Sequence, residues 1–352
     1  MKVTGMETKI IKIDSSNIDV SELKKAAEIL REGGLVAFPT ETVYGLGANA
    51  LDGQAVENIF KAKGRPSDNP LIVHIASTDQ VDNLVAEKTE LFDILARHFW
   101  PGPLTLIMSK SSVVPRQVTG GLDTVGIRFP SHPVARKLIE LAGIPVAAPS
   151  ANTSGKPSTT RPEHVINDLY GKVDVIIDAG ESDIGVESTV LDITSRPPVL
   201  LRPGGTTVEQ IESVAGPVSM KFSVGDKSEV PRSPGMKYRH YSPNAEVILV
   251  SGKLENVMQK IRELAQSYIK AGKKVGIMAT DETMAVYTEG IVLSVGSRKH
   301  PESIAAALFS LLRKFDDFGV DIILAESVEQ NGIGLATMNR LLKAAGHNII
   351  KV

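Results

Sequence analysis

The chain has 352 residues, of which 42% are hydrophobic and 23% charged, and its formal net charge is −2. This is the composition of an ordinary globular protein. The length predicts about two domains, and the near-neutral charge supplies no general attraction for nucleic acid. There is no cysteine, which excludes disulfides, thiolate metal sites and thiol nucleophiles, and the seven scattered histidines include no pair at helical ligand spacing, so no resident metal site is expected.

In chain order, a first strand is predicted at residues 10–13. Ser21 is placed to cap a helix carrying Leu23, Ala26, Ala27 and Leu30, which stops at Gly33-Gly34. Leu35-Val36-Ala37-Phe38 reads as a buried strand ended by Pro39, which cannot donate to a ladder. The residues that follow, Thr40-Glu41-Thr42-Val43-Tyr44-Gly45-Leu46-Gly47, read as a polar loop past a strand end, where α/β proteins keep their chemistry. Val56, Ile59 and Phe60 recur at helical spacing. That helix is expected to empty into a cationic loop, Lys61-Ala62-Lys63-Gly64-Arg65-Pro66, before an apolar strand carrying His74.

Further strands are predicted at 104–108, 124–129, 144–148, 173–177, 188–193 and 198–201, with helices at 90–99 and 132–142. They do not alternate strictly with helices, so the predicted class is α/β with a twisted mixed sheet rather than a TIM barrel. Arg128 and Arg202 fall near strand ends, and residues 149–158 form a loop rich in hydroxyls and amides.

The texture changes after Gly216. Residues 217–244 are rich in proline, serine and Lys/Arg with little apolar periodicity, and end in a segment, Ser233 to Pro243, that sets Tyr238, His240 and Tyr241 beside Lys237 and Arg239. From Glu246 strands and helices alternate again, predicting a second, smaller Rossmann-like open-sheet α/β domain. The expected organisation is a first domain at 1–216, a linker or lid at 217–244 and a C-terminal domain at 245–352. Residues 1–14 lack an apolar signal-type segment and no run approaches membrane-spanning length, so a cytoplasmic location without a membrane partner is expected.

No Walker A string and no G-x-S-x-G elbow occurs. Gly45-Leu46-Gly47-Ala48-Asn49-Ala50 fits only the loosest dinucleotide fingerprint, without the tight first turn or the later acidic residue. What remains is a set of cations, Lys63, Arg65, Arg128 and Arg202, of types that hold phosphates and carboxylates. Each also has a structural reading: a solvated charge, and, for His74 and Ser188, a satisfied core group. On the residues alone both readings stay open.

The strings Leu35–Gly47, Lys63-Gly64-Arg65-Pro66, Trp100-Pro101-Gly102-Pro103-Leu104-Thr105, Ala148-Pro149-Ser150-Ala151-Asn152 and Leu201-Arg202-Pro203-Gly204 resemble those of the threonylcarbamoyl-adenylate synthase family, with its YrdC-like domain. Ser233 to Pro243 and the second domain resemble its two-domain branch. The resemblance implies condensation of L-threonine, bicarbonate and ATP, with Mg²⁺ accompanying ATP, as the first step of a tRNA N6-threonylcarbamoyladenosine modification. Downstream threonylcarbamoyl-transfer proteins would then be partners.

It further implies that Lys63, Arg65, Thr124, Ser150, Asn152, Ser158 and Arg202 face ATP, with Lys63 and Arg65 catalytic. Thr40, His74, Arg128, Ala148 and Ser188 would face threonine, and Tyr44 would shape the pocket wall. The segment 233–243 is expected to close over the nucleotide, with Tyr241 reaching its phosphates. Two other readings are a tRNA-binding module, from the locally basic linker, and a carbamoyl-transfer role in hydrogenase maturation. The latter lacks here its zinc-finger cysteines and acylphosphatase-like segment.

Overall fold

Strands and helices form where apolar periodicity asks for them, and they assemble into two separate sheets. The computed structural model describes residues 7–221 and 240–352; Tyr238 and most of the segment from Ser233 lie outside the described residues. Packing divides these into two units, one of residues 7–154, 159–183 and 187–221, the other of 155–158, 184–186 and 240–352. The contiguous boundaries expected from composition therefore miss two short loops that pack with the second unit.

The first unit runs β1 (Lys9–Lys12), α1 (Val20–Arg31), β2 (Val36–Phe38), β3 (Gly45–Asn49), α2 (Gly53–Lys63), β4 (Ile72–His74), α3 (Val81–Leu84), α4 (Glu90–Phe99), β5 (Leu104–Ser109), α5 (Arg116–Thr119), β6 (Thr124–Arg128), α6 (Pro133–Ala142), β7 (Val146–Ala148), α7 (Pro162–Leu169), β8 (Val175–Asp178), β9 (Thr189–Asp192), β10 (Val199–Arg202), α8 (Val208–Ala215) and β11 (Ser219–Met220). The strands form one mixed sheet in the order β1-β8-β2-β3-β7-β4-β6-β5-β9-β10-β11.

Three local expectations are corrected. Gly45 to Asn49 is not loop but β3, antiparallel to β2. Glycine is a poor strand former, yet here the Phe38 ring covers the strand. A Cβ on Gly47 would lie 2.8 Å from Phe38 and 2.7 Å from Val146, so the strand needs a residue without a side chain. Lys63 is the last residue of α2, not part of the loop after it. The cap of α1 is Asp19, whose carboxylate accepts from the Ser21 and Glu22 amides, while the Ser21 hydroxyl merely donates to it.

Strand alternation separates the sheet's two faces. Val73, Leu106, Ile127, Ala147 and Leu191 point into the larger core, which α2 and α4 complete through Val56, Ile59, Phe92 and Leu95. On the opposite face, register aligns Val146, His74, Arg128, Thr105 and Val190 in one row across β7, β4, β6, β5 and β9. The next row on that face holds Ala148, Ile72, Gly126 and Ile107. The helices α1 and α6 cover the face toward β2 and β8, burying Leu23, Leu30, Val134 and Leu138. Among the described residues, Ile72, Ile107, Val190 and Leu201 of β4, β5, β9 and β10 form a small apolar cluster of their own.

The second unit continues with β12 (Glu246–Ser251), α9 (Leu254–Lys270), β13 (Val275–Ala279), β14 (Ile291–Ser294), α10 (Pro301–Asp317), β15 (Ile322–Glu326), α11 (Ile333–Ala344) and β16 (Ile349–Lys351). Its five strands are all parallel, ordered β14-β13-β15-β12-β16, an open α/β sheet. The loop residues Ile184 and Val186 pack here with Ala305, Ile333 and Ala336, and Arg313 donates to the Pro157 carbonyl at 2.6 Å.

Candidate active site

In the first unit the turn from β2 to β3 is built by its own side chains. The Thr40 hydroxyl donates to the Val43 carbonyl at 2.6 Å and accepts from the Thr42 and Val43 amides. Tyr44 is fully buried and its hydroxyl donates to the Gly180 carbonyl at 2.6 Å. Burial raises the phenol's pKa, so it stays a protonated donor that ties two loops together.

Between Thr40 and Thr42, Glu41 turns toward the sheet. Its carboxylate meets the Arg128 guanidinium at 2.7 Å, and both residues are about 95% buried. Burial alone would raise the Glu41 pKa, but the charge and hydrogen bonding of Arg128 outweigh it and hold the group below the usual carboxylate range. Arg128 also donates through Nε to the Gly102 carbonyl at 3.4 Å. Its row neighbour His74 lies edge-on to Phe38, with Nδ1 3.2 Å from the Ile72 carbonyl. Burial, then the charge of Arg128, pushes His74 down to about 3, so its ring is neutral at physiological pH. Ala148 contributes a small buried side chain to the next row.

Across the same face Ser188 joins two other groups. Its hydroxyl is 2.8 Å from that of Thr105 and accepts from Arg202 Nη2 at 3.3 Å, while Arg202 Nε donates to the Ser188 carbonyl at 3.1 Å. The Arg202 backbone can come so close because Gly204 follows it. A Cβ on Gly204 would lie 2.2 Å from the Thr189 amide nitrogen and 2.3 Å from the Ser188 carbonyl carbon. Thr124, half-buried at the start of β6, lines a shallow cleft with Thr105, Gly126, Ile72 and Ile107.

The third group centres on Lys63. Its buried ammonium donates to the carbonyls of Ser150 and Asn152, each at 2.5 Å, and the Ser150 hydroxyl donates to the Asn152 side chain. Arg65 is half-buried, donates to the Asn69 and Pro70 carbonyls at 3.3 Å, and lies 6.0 Å from the Phe60 ring centroid. Lys63 and Arg65 therefore do not share one loop. Arg65 lies after the helix, whereas Lys63 is a buried anchor.

Two expected site residues belong to the second unit. Ser158 falls in its 155–158 segment and is fully buried. Tyr241, expected to reach phosphates, is 5% exposed, with its ring centroid 5.1 Å from Phe309 and the Arg340 guanidinium over its face. Aromatic packing holds it there.

Sequence reading passed over Glu41 and Thr105 as site residues. The signal for Glu41 is a carboxylate between two threonines in an otherwise apolar run. For Thr105 it is a hydroxyl alternating with Ile107 on an apolar strand.

A buried lysine, two buried arginines and a half-buried arginine in a mixed α/β fold are cations of the types that hold a polyanionic substrate. Among the described residues no group of three or more His, Asp or Glu stands close enough to hold a metal. A family model described as "Telomere recombination" matches residues 28–204, and one described as "Threonylcarbamoyl-AMP synthase, C-terminal domain" matches 206–346. The chain is 56% identical to the threonylcarbamoyl-AMP synthase of Pyrococcus abyssi, covering 95% of this chain and 97% of the relative. It is 50% identical to that of Bacillus subtilis, covering 96% and 97%. The crystal structure of P. abyssi Sua5 complexed with L-threonine superposes with a TM-score of 0.94 at 55% identity, covering 98% of this chain and all of that one. The chain belongs to the threonylcarbamoyl-AMP synthase family, with both of that family's domains.

Proposed function

We propose that this chain condenses L-threonine, bicarbonate and ATP to threonylcarbamoyl-AMP and diphosphate. The observation that carries the reading is its identity with threonylcarbamoyl-AMP synthases over nearly the whole length of both partners. The threonine seen with the P. abyssi protein supports threonine as the amino-acid substrate.

The chemistry asks little covalent work of the protein. The amine of threonine attacks carbon dioxide or bicarbonate, and an oxygen of the resulting carbamate displaces diphosphate from the α-phosphorus of ATP. The protein's share is positioning and charge neutralisation. In this reading Arg65, Thr124 and Arg202 contact ATP, and Lys63 shapes the loop of Ser150 and Asn152 that receives it. Arg128 clamps the threonine carboxylate beside neutral His74, within reach of Thr40 and Ala148, and Ser188 reads the side chain. A magnesium ion would supply neutralisation of the triphosphate. Such an ion would be held mainly by the substrate phosphates.

The product would feed the N6-threonylcarbamoyl modification of tRNA through a partner that transfers the threonylcarbamoyl group, and we place the protein in the cytoplasm. Among the described residues no helix is long and apolar enough to cross a membrane. The test is diphosphate release from ATP. It should require both threonine and bicarbonate, and release independent of either would refute the reading.

A further inference from the structure

Glu41 is the group the proposed roles leave unused. It is a buried carboxylate, 5% exposed, in a turn whose other side chains serve the turn itself. It sits 2.7 Å from Arg128, and the Glu41 and Ser131 backbone amides also help to lower its pKa, but among the described residues neither of its oxygens, nor Arg128 Nη2, makes a hydrogen bond of good geometry. A buried ion pair is costly to desolvate and seldom maximises stability, and unfilled hydrogen-bonding capacity in such a pair raises the cost.

The charged and titratable groups around it are Arg128 on β6, His74 on β4 and His132 capping α6, with Asp183 beside His132. His132 Nδ1 is taken by the Val134 amide, and both histidines are held toward their neutral forms by burial. The local pattern is therefore one cation and one anion in contact, each with capacity left.

An α-amino acid carries the complementary pair, a carboxylate and an ammonium on a single carbon. We infer that Glu41 receives the α-ammonium of the amino-acid substrate while Arg128 receives its carboxylate, so that the two side chains together read the zwitterion. The assignment rests on the proposed function, in which Arg128 holds threonine's carboxylate. It gives the reaction a fixed position for the nitrogen that must become the nucleophile.

The test uses the full chain and two ligands, L-threonine and 2,3-dihydroxybutyrate, in which a hydroxyl replaces the amine. By calorimetry the unaltered protein should prefer threonine by about 10- to 100-fold, the range of one charge-assisted hydrogen bond. Glu41→Gln should lose most of that preference while holding the hydroxy acid about as well as before. Equal weakening of both ligands would overturn the inference, because it would mean that Glu41 only props Arg128. Failure of the unaltered protein to bind threonine would overturn the functional reading and this assignment with it.

A second measurement needs no variant. Raising pH from about 7 to about 10 deprotonates the ammonium, and should lower threonine affinity but not that of the hydroxy acid. A constant ratio would refute the assignment.

Discussion

Lys63 Nζ lies 2.5 Å from the Ser150 carbonyl oxygen, joining the end of α2 to a loop 87 residues later. The same ammonium reaches the Asn152 carbonyl, so one side chain fixes the backbone of the Ser150-Ala151-Asn152 loop. Lys63→Ala would leave two carbonyls without this donor. It should cost about 1–3 kcal/mol of stability and lower diphosphate release ~10²-fold or more. Arg65→Ala should show the activity loss with a smaller fall in melting temperature, since Arg65 is only half-buried. Thermal melts beside turnover assays separate the two, and equal stability losses would remove the distinction.

Gly204 offers a steric test of the same site. Gly204→Ala places a methyl against the backbone of Ser188 and Thr189 at 2.2–2.3 Å, with no flexible side chain to yield. The Arg202 loop must then move away from Ser188. Activity should fall at least ~10-fold, the scale of a misplaced positioning group, while the rest of the fold keeps its far-UV circular dichroism. Normal turnover would show that this close approach is not needed.

Substrate choice should depend on Thr105 through Ser188. The Thr40 hydroxyl is tied into its own turn, so the linked hydroxyls of Thr105 and Ser188 are better placed to read threonine's hydroxyl. Activity should run threonine, then serine, then 2-aminobutyrate. A methyl discriminates by only ~1–3 kcal/mol, whereas a buried polar group left without its partner discriminates more. Thr105→Val should narrow the gap between threonine and 2-aminobutyrate, and Thr105→Ser should preserve it. Competition assays with the three amino acids measure both effects; an unchanged gap in the valine variant would exclude Thr105.

Acid stability should carry the mark of His74. Its folded-state pKa is depressed to about 3 from 6.5, so in that window the unfolded chain binds more protons. Stability contributed by neutral His74 is therefore complete above about pH 6.5 and lost as pH falls, by on the order of 1 kcal/mol per pH unit. Glu41, also depressed, adds a loss that begins only as pH drops below its unfolded value of 4.5. Melting temperatures between pH 7.5 and 4 should decline less steeply in His74→Gln than in the parent. Parallel curves would mean that His74 is not the group responsible.

The sequence by itself determined the α/β class, the two-domain division in outline, most strands and helices, and the strings that carry the family resemblance. These are local properties, because apolar periodicity, Pro and Gly punctuation and short motifs are complete within a few adjacent residues. It also named Lys63, Arg65, Arg128 and Arg202, though not which of them would be buried.

That was decided only by tertiary structure. Lys63 meets Ser150 across 87 positions and Thr105 meets Ser188 across 83, while Glu41 meets Arg128 because a turn folds onto a strand of the sheet. The row of His74, Arg128 and Thr105 likewise exists only once three strands have taken their register. A glycine string such as Gly45-Leu46-Gly47 reads as loop until the Phe38 ring it accommodates is in place. The separation of local from long-range information follows from the physics: backbone propensity acts between neighbours, but burial, and with it the chemistry of a charge, depends on what the folded chain brings from afar.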